Sequence, residues 1–271
     1  MLVMSRFLRL IVSYSFVTLL LFCMHIPMSL AKPTPETIKQ FTPHGKMRVG
    51  INLGNPLLAN LDKATGKPIG ISVDLANELA KRLGVELTFT TCMKAGDTVD
   101  AVKKGDVDLV FVAIDPVRGE DVSYSPAYVQ IEGAYLVREN SLLKSNDEVD
   151  QAGTTVVVGK GSAYDLFLTR EIKQATLIRA ATSQAVVDDF MSQSYDVAAG
   201  VRQQLESDAL RYNGVRMLPG RFMVINQAMG VPKGRPLANA YIAEFVAEMK
   251  SSGFVANSLK THKVDGAKVA E

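Results

Sequence analysis

The chain has 271 residues, 47% hydrophobic and 21% charged, with a formal net charge of +2 and no basic run interleaved with aromatics. That balance fits a folded protein with a large core and argues against a nucleic-acid binder. Three histidines, His25, His44 and His262, stand far apart in sequence, which argues against a zinc site or a histidine-based catalytic triad. From the N-terminus, Arg6 and Arg9, the mostly apolar run Leu10 to Phe22 and the small-x-small triplet Ser29-Leu30-Ala31 read as a cleaved signal peptide spanning residues 1–31. Ser13, Ser15 and Thr18 leave the run short of the ~20 apolar residues a membrane span needs. The bulky Phe22 before Cys23 argues against lipid attachment. Lys32 would open a mature chain of about 240 residues in which Cys92 is the sole cysteine. No intrachain disulfide is then possible, despite export to an oxidising compartment, and stability must come from packing.

In the mature chain, Lys32 to Lys46 is rich in Pro and Thr and reads as a mobile lead-in. Met47 to Ile51 is a short strand. Val73, Ala76, Leu79, Ala80 and Leu83 recur at helical spacing, with Ser72 as the expected cap at the start and Gly84 at the end. Val85, Leu87 and Phe89 alternate with polar residues as in a half-buried strand. Asp97 is expected to cap a short helix that stops at Gly105. Val107 to Val112 is the nearly continuous apolar run of a central strand covered on both faces. Asp115-Pro116-Val117-Arg118 follows, a turn at the place where an open α/β sheet presents groups to a ligand. A lone Arg there points to capture of a small carboxylate.

The second half repeats the alternation. Ala134 to Val137 and Thr154 to Val158 are strands separated by a polar connection. Gly159-Lys160-Gly161-Ser162 leads into a helix whose apolar face holds Tyr164, Phe167, Leu168 and Ile172. Thr182 caps a helix with Val186, Val187, Phe190 and Met191 inward. Asp196 to Gly200, Val215 to Leu218 and Gln227 to Val231 are further strands. Pro236 opens a helix with Tyr241, Ile242, Phe245, Val246 and Met249 on its core face, and Phe254 to His262 forms a last short one. Strands and helices alternate throughout, the pattern of an α/β protein with mainly parallel sheets.

Several of these segments, in this order, resemble the family 3 extracellular solute-binding proteins, the periplasmic receptors of polar amino-acid ABC importers. The segments are Met47-Arg48-Val49-Gly50, Gly66 to Ala76, Gly105-Asp106-Val107-Asp108-Leu109, Asp115 to Arg118 with Tyr124-Ser125-Pro126-Ala127-Tyr128, Gly159 to Ala163, Asp196 to Gly200 and Met229 to Gly234. The resemblance implies a two-lobed clamshell of the type II periplasmic binding fold. Lobe 1 would hold residues 46–128 and 227–271, lobe 2 residues 129–226, with a ligand in the cleft between them. It implies no cofactor, a permease in the inner membrane as partner, and a monomer.

Arg118 matches the family's carboxylate-binding Arg, and a planar guanidinium grips a carboxylate through parallel hydrogen bonds. The alternative is a turn Arg paired with Glu120 or Asp121. Gly161, Ser162 and Ala163 would offer backbone amides at a helix start, with Lys160 adding charge; a plain capped helix is compatible with this. Asn52 is a polar candidate after the first strand, where the resemblance leads one to expect an aromatic and none stands among Leu53 to Asn60. Val201 follows the second-lobe strand where amino-acid receptors of the family carry an Asp for the α-ammonium. Two ligand classes follow. Asp115 or Glu132 replaces that charge and the ligand is an amino acid, or Arg202 joins Arg118 and the ligand is a non-amino organic acid or dicarboxylate. A dehydratase of cyclohexadienyl acids on the same fold, needing a carboxyl general acid, and a sensor or accessory binding protein are the functional alternatives.

Overall fold

The computed structural model describes residues 32–271, and the expected leader lies outside them. Each strand–helix unit follows from its apolar period. The strand β1 (Met47–Asn52) is followed by the two-residue hairpin strands β2 (Asn60–Leu61) and β3 (Pro68–Ile69) and the helix α2 (Ile71–Leu83). β4 (Leu87–Cys92), α3 (Ala95–Lys103) and β5 (Leu109–Ala113) come next. Ahead of them stands α1 (Pro35–Phe41), in the segment expected to be a mobile lead-in. Thr34 caps it, and Phe41 is fully buried with its ring edge on Tyr241, 6.1 Å between centroids. One buried aromatic, worth about 1.5–3 kcal/mol, is enough to dock so short a helix.

A single long strand, β6 (Val122–Arg138), then carries the chain out of this half of the molecule. β7 (Thr155–Gly159), α4 (Ala163–Glu171), β8 (Thr176–Ala180), α5 (Val186–Ser192), β9 (Val197–Val201), α6 (Arg202–Ala209) and β10 (Val215–Met217) build the second half. β11 (Met223–Pro232) returns, antiparallel to β6. α7 (Pro236–Ser251), α8 (Phe254–Thr261) and β12 (Lys268–Val269) complete the first half.

The strands follow the order β4-β1-β5-β11-β6-β9-β7-β8. The pairs β1–β4 and β1–β5 on one side and β7–β8 and β7–β9 on the other are parallel. β11 and β6 join the two blocks through antiparallel pairs. This is the expected pair of α/β lobes, with two antiparallel crossings between them. No described helix is long and apolar enough to cross a membrane.

Local signals hold with instructive exceptions. Gly84 closes α2 in the left-handed conformation at φ 67°. Ser72 does not cap that helix; it lies inside it, and its hydroxyl meets the buried Tyr128 hydroxyl at 3.1 Å. Gly70 is the N-cap, at φ 119°, and its carbonyl accepts from the amides of Val73 and Asp74. Asp97 sits in the first turn of α3, and Lys94 occupies the cap position.

A Cβ on Gly70 would lie 2.5 Å from the Leu58 carbonyl oxygen and 2.9 Å from Ala59 Cα, both backbone atoms. Strain and clash together make Gly70→Ala cost about 2–3 kcal/mol. Thermal unfolding of this variant is expected roughly 5–10 °C below the wild type. An unchanged midpoint would mean the loop relaxes freely.

Candidate functional site

Parallel strands deliver their carboxyl ends to one crevice. Asn52 ends β1, Ala113 ends β5 and Val201 ends β9, and all three line a cavity of about 650 Å³, its open mouth included. β7 ends at Gly159, immediately before the lining residue Lys160. The N-termini of three helices meet the same cavity: α3 through Lys94 and Ala95, α4 through Ser162 and Ala163, α6 through Val201 and Gln204. The walls therefore come from both halves of the sheet.

Arg118 lies in the wall, 3% exposed. A single 3-10 turn, Arg118–Glu120, follows Pro116 and folds the side chain back under the strand it left. Its Nη1 donates to the Ala113 carbonyl at 3.1 Å, and its Nη2 crosses the cleft to the Gly161 carbonyl at 2.9 Å. Nε is buried with no partner. Among the described residues no carboxylate forms an ion pair with Arg118, so its alternative reading as a turn residue paired with Glu120 or Asp121 is not what the structure contains. Burial pulls its pKa below the ordinary guanidinium value, against the opposing effects of Tyr124 and Asp115. Burial also pushes the neighbouring Tyr124 phenol up to about 12.

The start of α4 is built with equal economy of space. Ser162 caps the helix, accepting from the Asp165 amide at 3.0 Å. Asp165 in turn accepts from the Gly161 amide at 2.8 Å and from Arg179 Nε at 3.0 Å. The first two helical amides, Ala163 and Tyr164, have no carbonyl one turn back within the helix. The Tyr164 hydroxyl is buried against Ser183 and Ser162, which raises its pKa through desolvation first. Gly159 makes room for it, since a Cβ there would stand 2.7 Å from both Tyr164 Oη and Ser183 Oγ. Gly161 faces Gly96 of the other wall and sits at φ 72°, the left-handed region that favours glycine.

Of the nine residues singled out from sequence, Arg118, Asn52, Lys160, Ser162 and Ala163 line the cavity. Gly161 stands at its edge through the carbonyl bonded to Arg118. Asp115, Glu132 and Arg202 do not line it, and each for a definite reason. Asp115 turns under its own loop, accepting from the Val117 amide, and pairs across the cleft with Arg170 at 2.9 Å. Glu132 lies on β6 and accepts from Arg202 and Arg221, both at 2.9 Å. Arg202 opens α6 but turns toward Glu132 and the Gly220 carbonyl. So neither arrangement expected for balancing the ligand's charge, acid from Asp115 or Glu132 or base from Arg202, is formed.

Lys94, Ser183, Gln204 and Gln227 also line the cavity and were not anticipated. Lys94 follows the end of β4 by two residues, and Gln204 lies in the first turn after β9, so the strand-end rule applied to every parallel strand finds both. Gln184 Nε2 adds another bond between the halves, to the Leu53 carbonyl at 3.2 Å.

Two halves, each of parallel strands flanked by helices, joined by two antiparallel crossings around a cleft, define a type II periplasmic binding protein fold. An L-cysteine solute receptor of Neisseria gonorrhoeae superimposes with a TM-score of 0.72 over 84% of this chain and 94% of its own, at 22% identity. The profile of bacterial extracellular solute-binding proteins, family 3, matches residues 47–263, and the chain belongs to that family. Among curated relatives, a membrane-bound lytic murein transglycosylase F of Maricaulis maris is 30% identical over 158 residues, 55% of this chain and 34% of the relative. A glutamine-binding protein of Geobacillus stearothermophilus is 26% identical over 134 residues, 47% of this chain and 50% of the relative. The chain thus spans about a third to a half of the length of these relatives.

Proposed function

We propose that this protein is a periplasmic receptor that captures a small carboxylate-bearing solute between two lobes and delivers it to the inner-membrane permease of an ABC importer. The observation that carries this reading is Arg118, a buried guanidinium in an interlobe wall with no acidic partner among the described residues. A charge held away from water is costly until paired, so the site favours an occupant that brings the missing anion.

The lobes are residues 46–128 with 227–271, and residues 129–226. The crossings near Tyr128 and Gln227 act as the hinge. Arg118 to Gly161, Arg170 to Asp115 and Gln184 to Leu53 hold the two walls together. A ligand touching both walls stabilises the closed form, and affinity reflects how much of that form is populated. Amino-acid and L-cysteine receptors share this fold, which supports the same reading.

A second reading rests on the transglycosylase relatives, in which this region is part of a longer enzyme. There the chain would act on murein or sense a solute beside an enzyme. Asp115 and Glu132, the carboxyls expected to face a ligand's ammonium, are both held in ion pairs outside the cavity and offer no general acid to it.

A thermal-shift panel of amino acids and organic acids tests the proposal. At ligand concentrations near 100 times Kd, stabilisation is about 2.7 kcal/mol. The expected result is a rise of roughly 5–10 °C with at least one carboxylate. No response to any carboxylate, or release of soluble fragments from purified murein, would refute the receptor reading.

A further inference from the structure

We infer that the cavity takes a dianionic organic acid without an α-ammonium, an inference that rests on the receptor reading and narrows it. The lining residues include Arg118, Lys94 and Lys160 and not one Asp or Glu. Lys94 shares its charge with Asp97 at 3.4 Å, while Arg118 and Lys160 have no ion-pair partner among the described residues. Three helix N-termini add partial positive charge to the same space. α3 and α6 have no side chain capping them, so their first amides are left for an occupant.

The buried carboxylates nearby are engaged elsewhere. Asp115 holds Arg170 and Asp165 holds Arg179. Asp208, on the inner face of α6, receives Gln204 Nε2 at 2.9 Å and Arg211 at 3.1 Å. An ammonium entering this cavity would leave water to face cations and amide donors, with no anion to receive it. One carboxylate lies against Arg118 and the amides at the start of α4. A second anionic group lies at the uncapped start of α6, where Val201 is neutral and the backbone amides of Arg202, Gln203 and Gln204 have no carbonyl one turn back within the helix.

Isosteric pairs isolate the ammonium. Succinate is compared with aspartate, glutarate with glutamate and adipate with 2-aminoadipate, by calorimetric titration of the intact mature protein. The expected result is that, in at least one pair, the plain dicarboxylate binds at least tenfold more tightly than its amino counterpart. Val201→Asp, which places an anion at the α6 start, is expected to shrink that ratio at least tenfold. Equal or tighter binding of the amino member, or binding confined to monocarboxylates, would overturn the inference and leave the receptor reading standing. Absence of binding by every carboxylate would overturn both.

Discussion

Arg118→Ala is expected to weaken carboxylate binding by roughly 30-fold or more while leaving the ligand-free protein folded. Truncating one partner of a buried charge pair costs about 2–5 kcal/mol, and each 1.4 kcal/mol is tenfold. The loss falls on the complex because no acid of the protein depends on Arg118. The side chain's bonds to the Ala113 and Gly161 carbonyls disappear, which removes stability. So does the penalty of burying an unpaired guanidinium, which restores it. These opposing changes are comparable, and the unfolding midpoint of the ligand-free variant is expected within about 3 °C of the wild type. Arg118→Lys keeps the charge without the planar fork and should recover only part of the affinity. Titration calorimetry with thermal unfolding checks both halves. Unchanged affinity in Arg118→Ala would remove the residue from the site, and a collapsed fold would make its role structural.

The largest effect on stability is expected at Asp108, which is fully buried. It accepts from the Arg48 amide at 3.2 Å, from Arg48 Nε at 2.8 Å and Nη2 at 3.0 Å, and from Arg235 Nη1 at 2.9 Å. Arg235 is the N-cap residue of α7 and also donates to the Gln40 carbonyl of α1, so one carboxylate ties β1, β5, α1 and α7 together. Asp108→Ala leaves two arginines, each about a fifth exposed, without their acid. That is expected to cost about 2–4 kcal/mol. The midpoint should fall by roughly 5–15 °C.

Desolvation raises the Asp108 pKa, but the bonds from Arg48 and Arg235 outweigh it and hold it below the ordinary value. The folded protein therefore binds this proton less readily than the unfolded chain. The stability that Asp108 adds is complete above the unfolded carboxylate value near pH ~4 and is lost as pH falls through the lower folded value. The gap between wild type and Asp108→Ala should narrow only below about pH 4. A gap that stays constant down to pH ~2 would contradict this account.

Apolar period located α2, β5 and α7, because each buries a full stripe or both faces of a strand. It missed α1, whose seven residues bury only Thr37 and Phe41. It also missed β8, which lies at the end of the strand order with one buried residue, Ala180. β6 read as a short strand because Ser123, Ser125 and Pro126 interrupt its first half; that half is held by β11 across a register shift. The two lobes were legible through resemblance alone, since their strands form one continuous hydrogen-bonded path that no local pattern divides.

At the site, the position of Arg118 after a buried strand was readable. The directions of Asp115, Glu132 and Arg202 were not, because partners distant in sequence decide them: Arg170 for the first, and each other for the last two. Lys94 and Gln204 escaped notice for the opposite reason. Their place depends on strand ends, whose exact residues a sequence leaves uncertain by a turn.

A crystal structure of the protein with its carboxylate ligand bound tests the central claim most directly. The account predicts a ligand anion within about 3 Å of the Arg118 guanidinium, between the end of β5 and the start of α4. A ligand seated elsewhere, with Arg118 still bonded only to the Ala113 and Gly161 carbonyls, would contradict it.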